Sequence, residues 1–147
     1  MSIDDKLRNI ELNSDISYTN ALSIFQDFIL SNKIMNFQVY NLLDIWSGKI
    51  NKLNKYNKYL HESIFMLLYV TIMLYNDLAN PDIKNKIKLK SFIKMTNGLN
   101  NNNNFPEDFI TEIYNDIYDK IKEENIENNI LDYKKFEQSN KKTCTIL

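Results

Sequence analysis

Gly48, Pro81, Gly98 and Pro106 are the only glycines and prolines in a chain of 147 residues. These are the residues that turn and break a regular backbone, and a sheet-built protein of this length needs many such turns. Between the four positions the apolar residues recur at intervals of three and four, the spacing that places them on one face of an α-helix. The pattern predicts an all-α fold.

The helices can be placed by their apolar faces. From Ser17, the set Leu22, Phe25, Phe28 and Ile29 shares a face. After the polar break Ser31-Asn32-Lys33, a second set follows in Phe37, Tyr40, Leu43 and Trp46. Two amphipathic helices joined by a short turn are expected. Lys49, Lys52, Lys55 and Lys58 recur every third residue among asparagines and read as a solvated linker or helix face. From Glu62 to Leu78 the chain is apolar on every side, with Phe65, Leu68, Val70, Ile72 and Met73, so this helix should cross the centre of the fold. Its apolar run from Ile64 to Leu74 is too short to span a bilayer. Pro81 ends it by disfavouring helical geometry at Asn80.

A short helix around Lys88 to Met95 should bury Leu89, Phe92 and Ile93, with Gly98 supplying the left-handed residue that ends it. Pro106-Glu107-Asp108 opens the next helix, since proline suits a first turn and the two acids complement the positive end of the helix dipole. Its buried face is Phe109, Ile113, Ile117 and Ile121. After Glu124 the pattern thins. The expected organisation is one helical domain over 1–128 and a polar tether over 129–147.

With 44% hydrophobic residues the chain can bury one core, and its net charge of -1 argues against a nucleic-acid-binding surface. Arg8, the single arginine, leaves few bidentate phosphate clamps. One cysteine and one histidine make no metal-ligand cluster, so neither a metal nor a cofactor is expected. His61 shows no acid partner in the sequence and reads as a surface residue. The opening Met1-Ser2-Ile3-Asp4-Asp5 has acids and no apolar core, so no secretory signal is expected there.

The final residues, Cys144-Thr145-Ile146-Leu147, have the form of a prenylation box, and a last leucine favours a geranylgeranyl group. One prenyl chain gives only reversible membrane attachment. Lys134, Lys135, Lys141 and Lys142 are the candidate second, electrostatic signal. The expected location is the cytosolic face of a membrane, with a soluble pool.

Three segments carry a family likeness. Ile72-Met73-Leu74-Tyr75-Asn76-Asp77-Leu78-Ala79-Asn80-Pro81, then Phe92-Ile93-Lys94-Met95-Thr96-Asn97-Gly98-Leu99-Asn100, then Phe105-Pro106-Glu107-Asp108-Phe109 stand in one order at family-like distances. Together they resemble the Sec-seven domain of Arf guanine-nucleotide exchange factors, whose patterns there are I-M-L-N-T-D-L-H-N-P, F-I-x-M-N-R-G-I-N and D-L-P-E-x-L/F. The resemblance implies an all-helical, right-handed superhelix. It also implies a hydrophobic groove for the switch regions of a GDP-bound Arf-type GTPase, and hence a part in Arf signalling and vesicle traffic. Carried over residue by residue, the groove set is Met73, Asp77, Leu78, Asn80, Phe92, Met95, Gly98 and Asn100. Leu78 and Phe92 have an alternative reading as core residues. Tyr75, Ala79, Thr96 and Asn97 depart from the pattern.

Upstream, Ala21-Leu22-Ser23-Ile24-Phe25-Gln26-Asp27-Phe28-Ile29-Leu30 resembles the family's A-L-R-x-F-L-x-x-F-R-L-P-G-E with one residue deleted. Matching Phe28 and Leu30 places Ser31 and Asn32 at the proline and glycine, and Lys33 at the glutamate. The resemblance also implies that most of the family's amino-terminal subdomain is missing. In the family that glutamate approaches the Mg²⁺ and β-phosphate of bound GDP, where its charge repels the phosphate. A lysine would attract it. Between Glu11 and Glu62 there is no glutamate, and Asp27 sits within the preceding helix. The expectation is a membrane-tethered, Arf-binding domain with exchange activity lost. The alternatives are an active exchange factor using a shifted acid, or a lipidated helical adaptor with no GTPase partner.

Overall fold

Serine side chains open the first two helices. Ser2 Oγ accepts the Asp5 amide proton at the start of α1 (Ile3–Arg8), and Ser17 Oγ accepts that of Asn20 at the start of α2 (Tyr18–Ser31), both at 3.1 Å. Each bond satisfies a donor that the first turn leaves unpaired, worth about 1 kcal/mol. The computed structural model describes residues 1–127 and continues with α3 (Asn36–Asn51), α4 (His61–Ala79), α5 (Leu89–Met95) and α6 (Glu107–Glu127). Among the described residues there is no strand, as the sparse glycine and proline require. The expected tether, Cys144 and Lys134, Lys135, Lys141 and Lys142 lie outside the described residues.

α4 is the axis of the core. Ile64, Leu67, Leu68 and Leu74 are fully enclosed, against Phe25, Leu42, Leu43 and Trp46 of the two preceding helices in the same cluster. Trp46 stacks on Phe25 at 6.2 Å and donates its indole N–H to the Ala21 carbonyl at 2.9 Å, tying α3 to α2. Each large side chain removed from water in this way contributes about 1.5–3 kcal/mol before entropy is counted. By length and hydropathy α4 could pass for a membrane span, longer than the apolar run within it; its packing in the core makes it a central helix instead.

Two of the expected faces need correction. In α3, Leu43 and Trp46 are buried, but Phe37 and Tyr40 are 79% and 44% exposed. Six residues from Phe37 to Leu43 rotate the helix by about 240°, so the four apolar residues cannot share a face; Val39, Leu42 and Ile50 join Leu43 and Trp46 inside. In α4, Met66 and Met73 reach the surface, so the helix is apolar all round without being buried all round. In α6 Ile113, Ile117 and Ile121 are buried as expected, joined by Ile110 and Tyr114, while Phe109 is half-buried; in α5 Phe92 is buried and Leu89 and Ile93 are half-buried against the core.

The lysine repeat is a tie as well as a solvated face. Lys49 Nζ donates to the Arg8 carbonyl at 2.7 Å and Lys55 Nζ to that of Asp15 at 2.8 Å, fastening the amino-terminal segment to α3 and the turns after it. α1 itself escapes the sequence expectation because only Leu7 of its six residues is buried, too little for a visible period.

Candidate functional site

The turn between α2 and α3 is a helix-ending motif built around a lysine. Ile34 N–H donates to the Ile29 carbonyl and Lys33 N–H to that of Leu30, which is the bond pair of a Schellman cap. Ile34 and Ile29, both buried, supply the apolar contact that accompanies it. The geometry requires a left-handed residue between them, and Lys33 takes it with φ of 51°. Asn32 steadies the turn by donating its side-chain amide to the Phe28 carbonyl at 2.9 Å. Lys33 is thereby exposed on a fixed turn, just before α3 begins.

Beside it lies an apolar groove between α3 and α4. Tyr40 stacks on Tyr69 with ring centroids 5.9 Å apart and planes 17° from parallel, while Ser47 meets His61 farther along. The two helices therefore run antiparallel, and the Lys33 turn lies toward the Met73 end of α4. Along this face α3 presents Phe37 and Tyr40, and α4 presents Met66 and Met73, each 36% exposed or more, with Phe65 and Tyr69 half-buried between them. At the other end a recess of about 510 Å³ is lined by Tyr40, Asn41, Asp44, His61, Glu62 and Phe65. Apolar side chains left this open on neighbouring helices make a surface suited to a partner.

His61 closes that far end and has an acid partner after all. Its Nε2 lies 3.2 Å from Asp44 Oδ1, 2.9 Å from the Asp44 carbonyl oxygen and 2.9 Å from Ser47 Oγ. One ring nitrogen serves all three contacts. A nucleophile relay needs the hydroxyl and the carboxylate on opposite ring nitrogens, so the cluster joins α3 to α4 and does not activate Ser47. Gly48 leaves room for the ring, since a Cβ there would stand 3.2 Å from His61 Cε1.

The eight groove residues carried over from the family pattern divide by position. Met73 alone lines the α3–α4 groove, at 37% exposure. Phe92 is fully buried and Leu78 nearly so, which removes both from any partner's reach and makes them core. Asp77 holds the α4–α5 connection: its Oδ2 accepts the Ile87 amide at 2.7 Å. Asn80 ends α4 with an extended backbone and its Oδ1 accepts the Asp82 amide at 2.9 Å; Lys86 Nζ donates to the carbonyls of both Asp77 and Asn80. Met95 is half-buried against the core. Gly98 has φ of 77° and donates its N–H to Asn104 Oδ1 at 2.8 Å, and Asn100 bridges to Asn103.

The departures from the pattern mostly face inward. Tyr75 is buried with its hydroxyl donating to Glu124 Oε2 at 3.1 Å, and Thr96 is buried with its hydroxyl donating to the Ile93 carbonyl at 2.8 Å. Phe37, Tyr40, Met66 and Tyr69 are the groove residues that the motif reading missed. The apolar spacing places Phe37 and Tyr40 on the buried face of α3, and Met66 and Tyr69 lie on a helix that is apolar on every side, so no period marks the open face.

The profile of the Sec7 domain matches residues 11–126. Among solved structures, the Sec7p catalytic domain is 24% identical with a TM-score of 0.69, over 80% of this chain and 61% of that one. The N-terminal Sec7 domain of RalF is 26% identical with a TM-score of 0.67, over 80% of this chain and 58% of that one. The chain thus spans about three-fifths of each structure it matches. No curated protein matches it.

Proposed function

This chain belongs to the Sec7 domain family of Arf guanine-nucleotide exchange factors, and on that premise we propose that its α3–α4 groove docks a GDP-bound Arf-type GTPase while Lys33 leaves exchange weak or absent. The observation that carries the reading is Lys33 itself, exposed on a capped turn at the end of an open apolar groove. Exchange in this family depends on a carboxylate pushing against the β-phosphate and the Mg²⁺ that holds it. An ammonium aimed at the same place adds to the clamp on the nucleotide instead of loosening it.

No nearby acid substitutes for it. Asp27 is exposed on α2, a full turn before that helix ends, and its side chain is shorter than a glutamate's. Binding without release would make the domain a holder or decoy for the GDP-bound GTPase. The Cys144 box and the lysines upstream of it support a membrane location for this activity, with Cys144→Ser expected to shift the chain to the soluble fraction.

Docking is tested by titrating the purified chain against GDP-loaded Arf. Phe37→Asp places a charge in the groove at a position 79% exposed, so the fold should persist while affinity falls at least tenfold. Wild-type affinity in Phe37→Asp would remove the groove from the account. No binding by the wild type would favour an adaptor with another partner.

A further inference from the structure

The connection after α4 and the helix that follows carry a one-sided charge that the groove does not use. From Ile83 to Pro106 there is no acidic residue, while Lys84, Lys86, Lys88, Lys90 and Lys94 supply five positive charges. Lys86 is committed to the carbonyls at the end of α4. The other four are exposed, and among the described residues none has a carboxylate within 4.0 Å. The balancing acids are gathered next door on α6, which carries Glu107, Asp108, Glu112, Asp116, Asp119, Glu123, Glu124 and Glu127 against Lys120 and Lys122. A molecule with almost no net charge is thus strongly polarised.

We propose that the α4–α5 connection and α5 form a docking surface for an anionic lipid bilayer. Four unpaired ammonium groups with no interspersed carboxylate match a diffuse sheet of negative charge, and each adds to the attraction independently. All four are lysines, which act as hydrated point charges and lack the planar fork that arginine offers to a single phosphate or carboxylate. Lysine is also depleted from protein–protein interfaces, which disfavours a protein partner. The two aromatic residues of the stretch, Phe92 and Phe105, are buried, leaving nothing on this surface to stack on nucleic-acid bases. The surface is separate from the α3–α4 groove, and the proposal stands whether or not that groove takes a GTPase.

The test is co-sedimentation of the full, unprenylated chain with vesicles of phosphatidylcholine alone and with phosphatidylserine added. Four chains are compared: wild type; Lys84→Gln with Lys88→Gln, Lys90→Gln and Lys94→Gln; Lys134→Gln with Lys135→Gln, Lys141→Gln and Lys142→Gln; and Lys120→Gln with Lys122→Gln as a control. Lys84, Lys88, Lys90 and Lys94 are exposed, so replacing them should leave the helical circular-dichroism spectrum unchanged. Wild type should bind only the anionic vesicles, and more weakly as salt shortens the Debye length below about 8 Å. Removing the four α5-side lysines should cut binding several hundredfold, towards about 10³-fold, as four roughly fivefold losses imply. Equal binding to neutral vesicles would overturn the proposal. So would undiminished binding by the α5-side variant, or loss confined to the variant at positions 134 to 142. If the α5-side lysines prove to matter for GDP-loaded Arf in solution or for duplex DNA but not for vesicles, the surface serves that other partner and the lipid assignment fails.

Discussion

Lys33 pays a conformational price for its place. A side-chain-bearing residue in the left-handed region loses about 1–2 kcal/mol, and glycine is the residue that usually fills this position of a Schellman cap. Replacing Lys33 by glycine should therefore stabilise the fold by about 1 kcal/mol in a urea titration, the greater freedom of glycine in the unfolded chain offsetting part of the gain. A loss of stability instead would mean that the lysine side chain makes a contact the turn depends on. Tyr18 is a second residue with a local consequence. Its hydroxyl lies 2.9 Å from Thr71 Oγ1, and Thr71 sends its own proton to the Leu67 carbonyl, so Tyr18 is the donor. Burial pushes the Tyr18 phenol far above its ordinary value of 10.0, and burial pushes Tyr56 and Tyr114 in the same direction. The folded chain holds these protons more tightly than the unfolded one. Their stabilisation is whole below about pH 10 and drains away as pH rises past it. Tyr18→Phe should be less stable at neutral pH, having lost the bond to Thr71, yet decline more gently above pH 10. An equally steep decline would place the titrating group elsewhere.

Among the helices, α4 does two jobs on two faces, and substitutions should separate them. Leu68 is fully buried, so Leu68→Ala should cost about 2–5 kcal/mol through the cavity it leaves. Met73, on the open face at 37% exposure, should tolerate alanine to within about 0.5 kcal/mol. Equal costs at the two positions, read from chemical denaturation, would contradict the division. The same division marks what the residues alone could tell. The apolar stripes of α2 and α6 and the apolar run of α4 were legible because each is long, and α2 and α4 end at recognisable stops, the polar break from Ser31 and Asn80 before Pro81. α3 was legible as a helix but misassigned by face, because Phe37 and Tyr40 are as apolar as the residues that really face inward. The His61–Asp44 contact could not be seen, since the antiparallel packing of α3 on α4 creates it between residues 17 positions apart. Several residues of the family motif have structural duties of their own. Asp77, Asn80 and Gly98 fix the connections around α5, and that role leaves the same sequence mark as a binding role would.

At the scale of the whole molecule the surfaces divide by element: an apolar groove on α3 and α4, a basic surface from Ile83 through α5, and beside it an acidic α6. Lys33 stands at one end of the groove, so the account turns on what its charge does to a docked nucleotide. The direct measurement is release of fluorescent GDP from Arf in the presence of wild type, Lys33→Ala and Lys33→Glu. Wild type should leave release at its intrinsic rate or slow it, Lys33→Ala should be neutral, and Lys33→Glu should accelerate release, held below a full exchange factor by the misaim that Ser31 and Asn32 give the turn. A small misplacement of a reacting group can cost about 10²-fold. Rapid release by the wild type would contradict the account, because a lysine in that position cannot supply the repulsion that exchange requires.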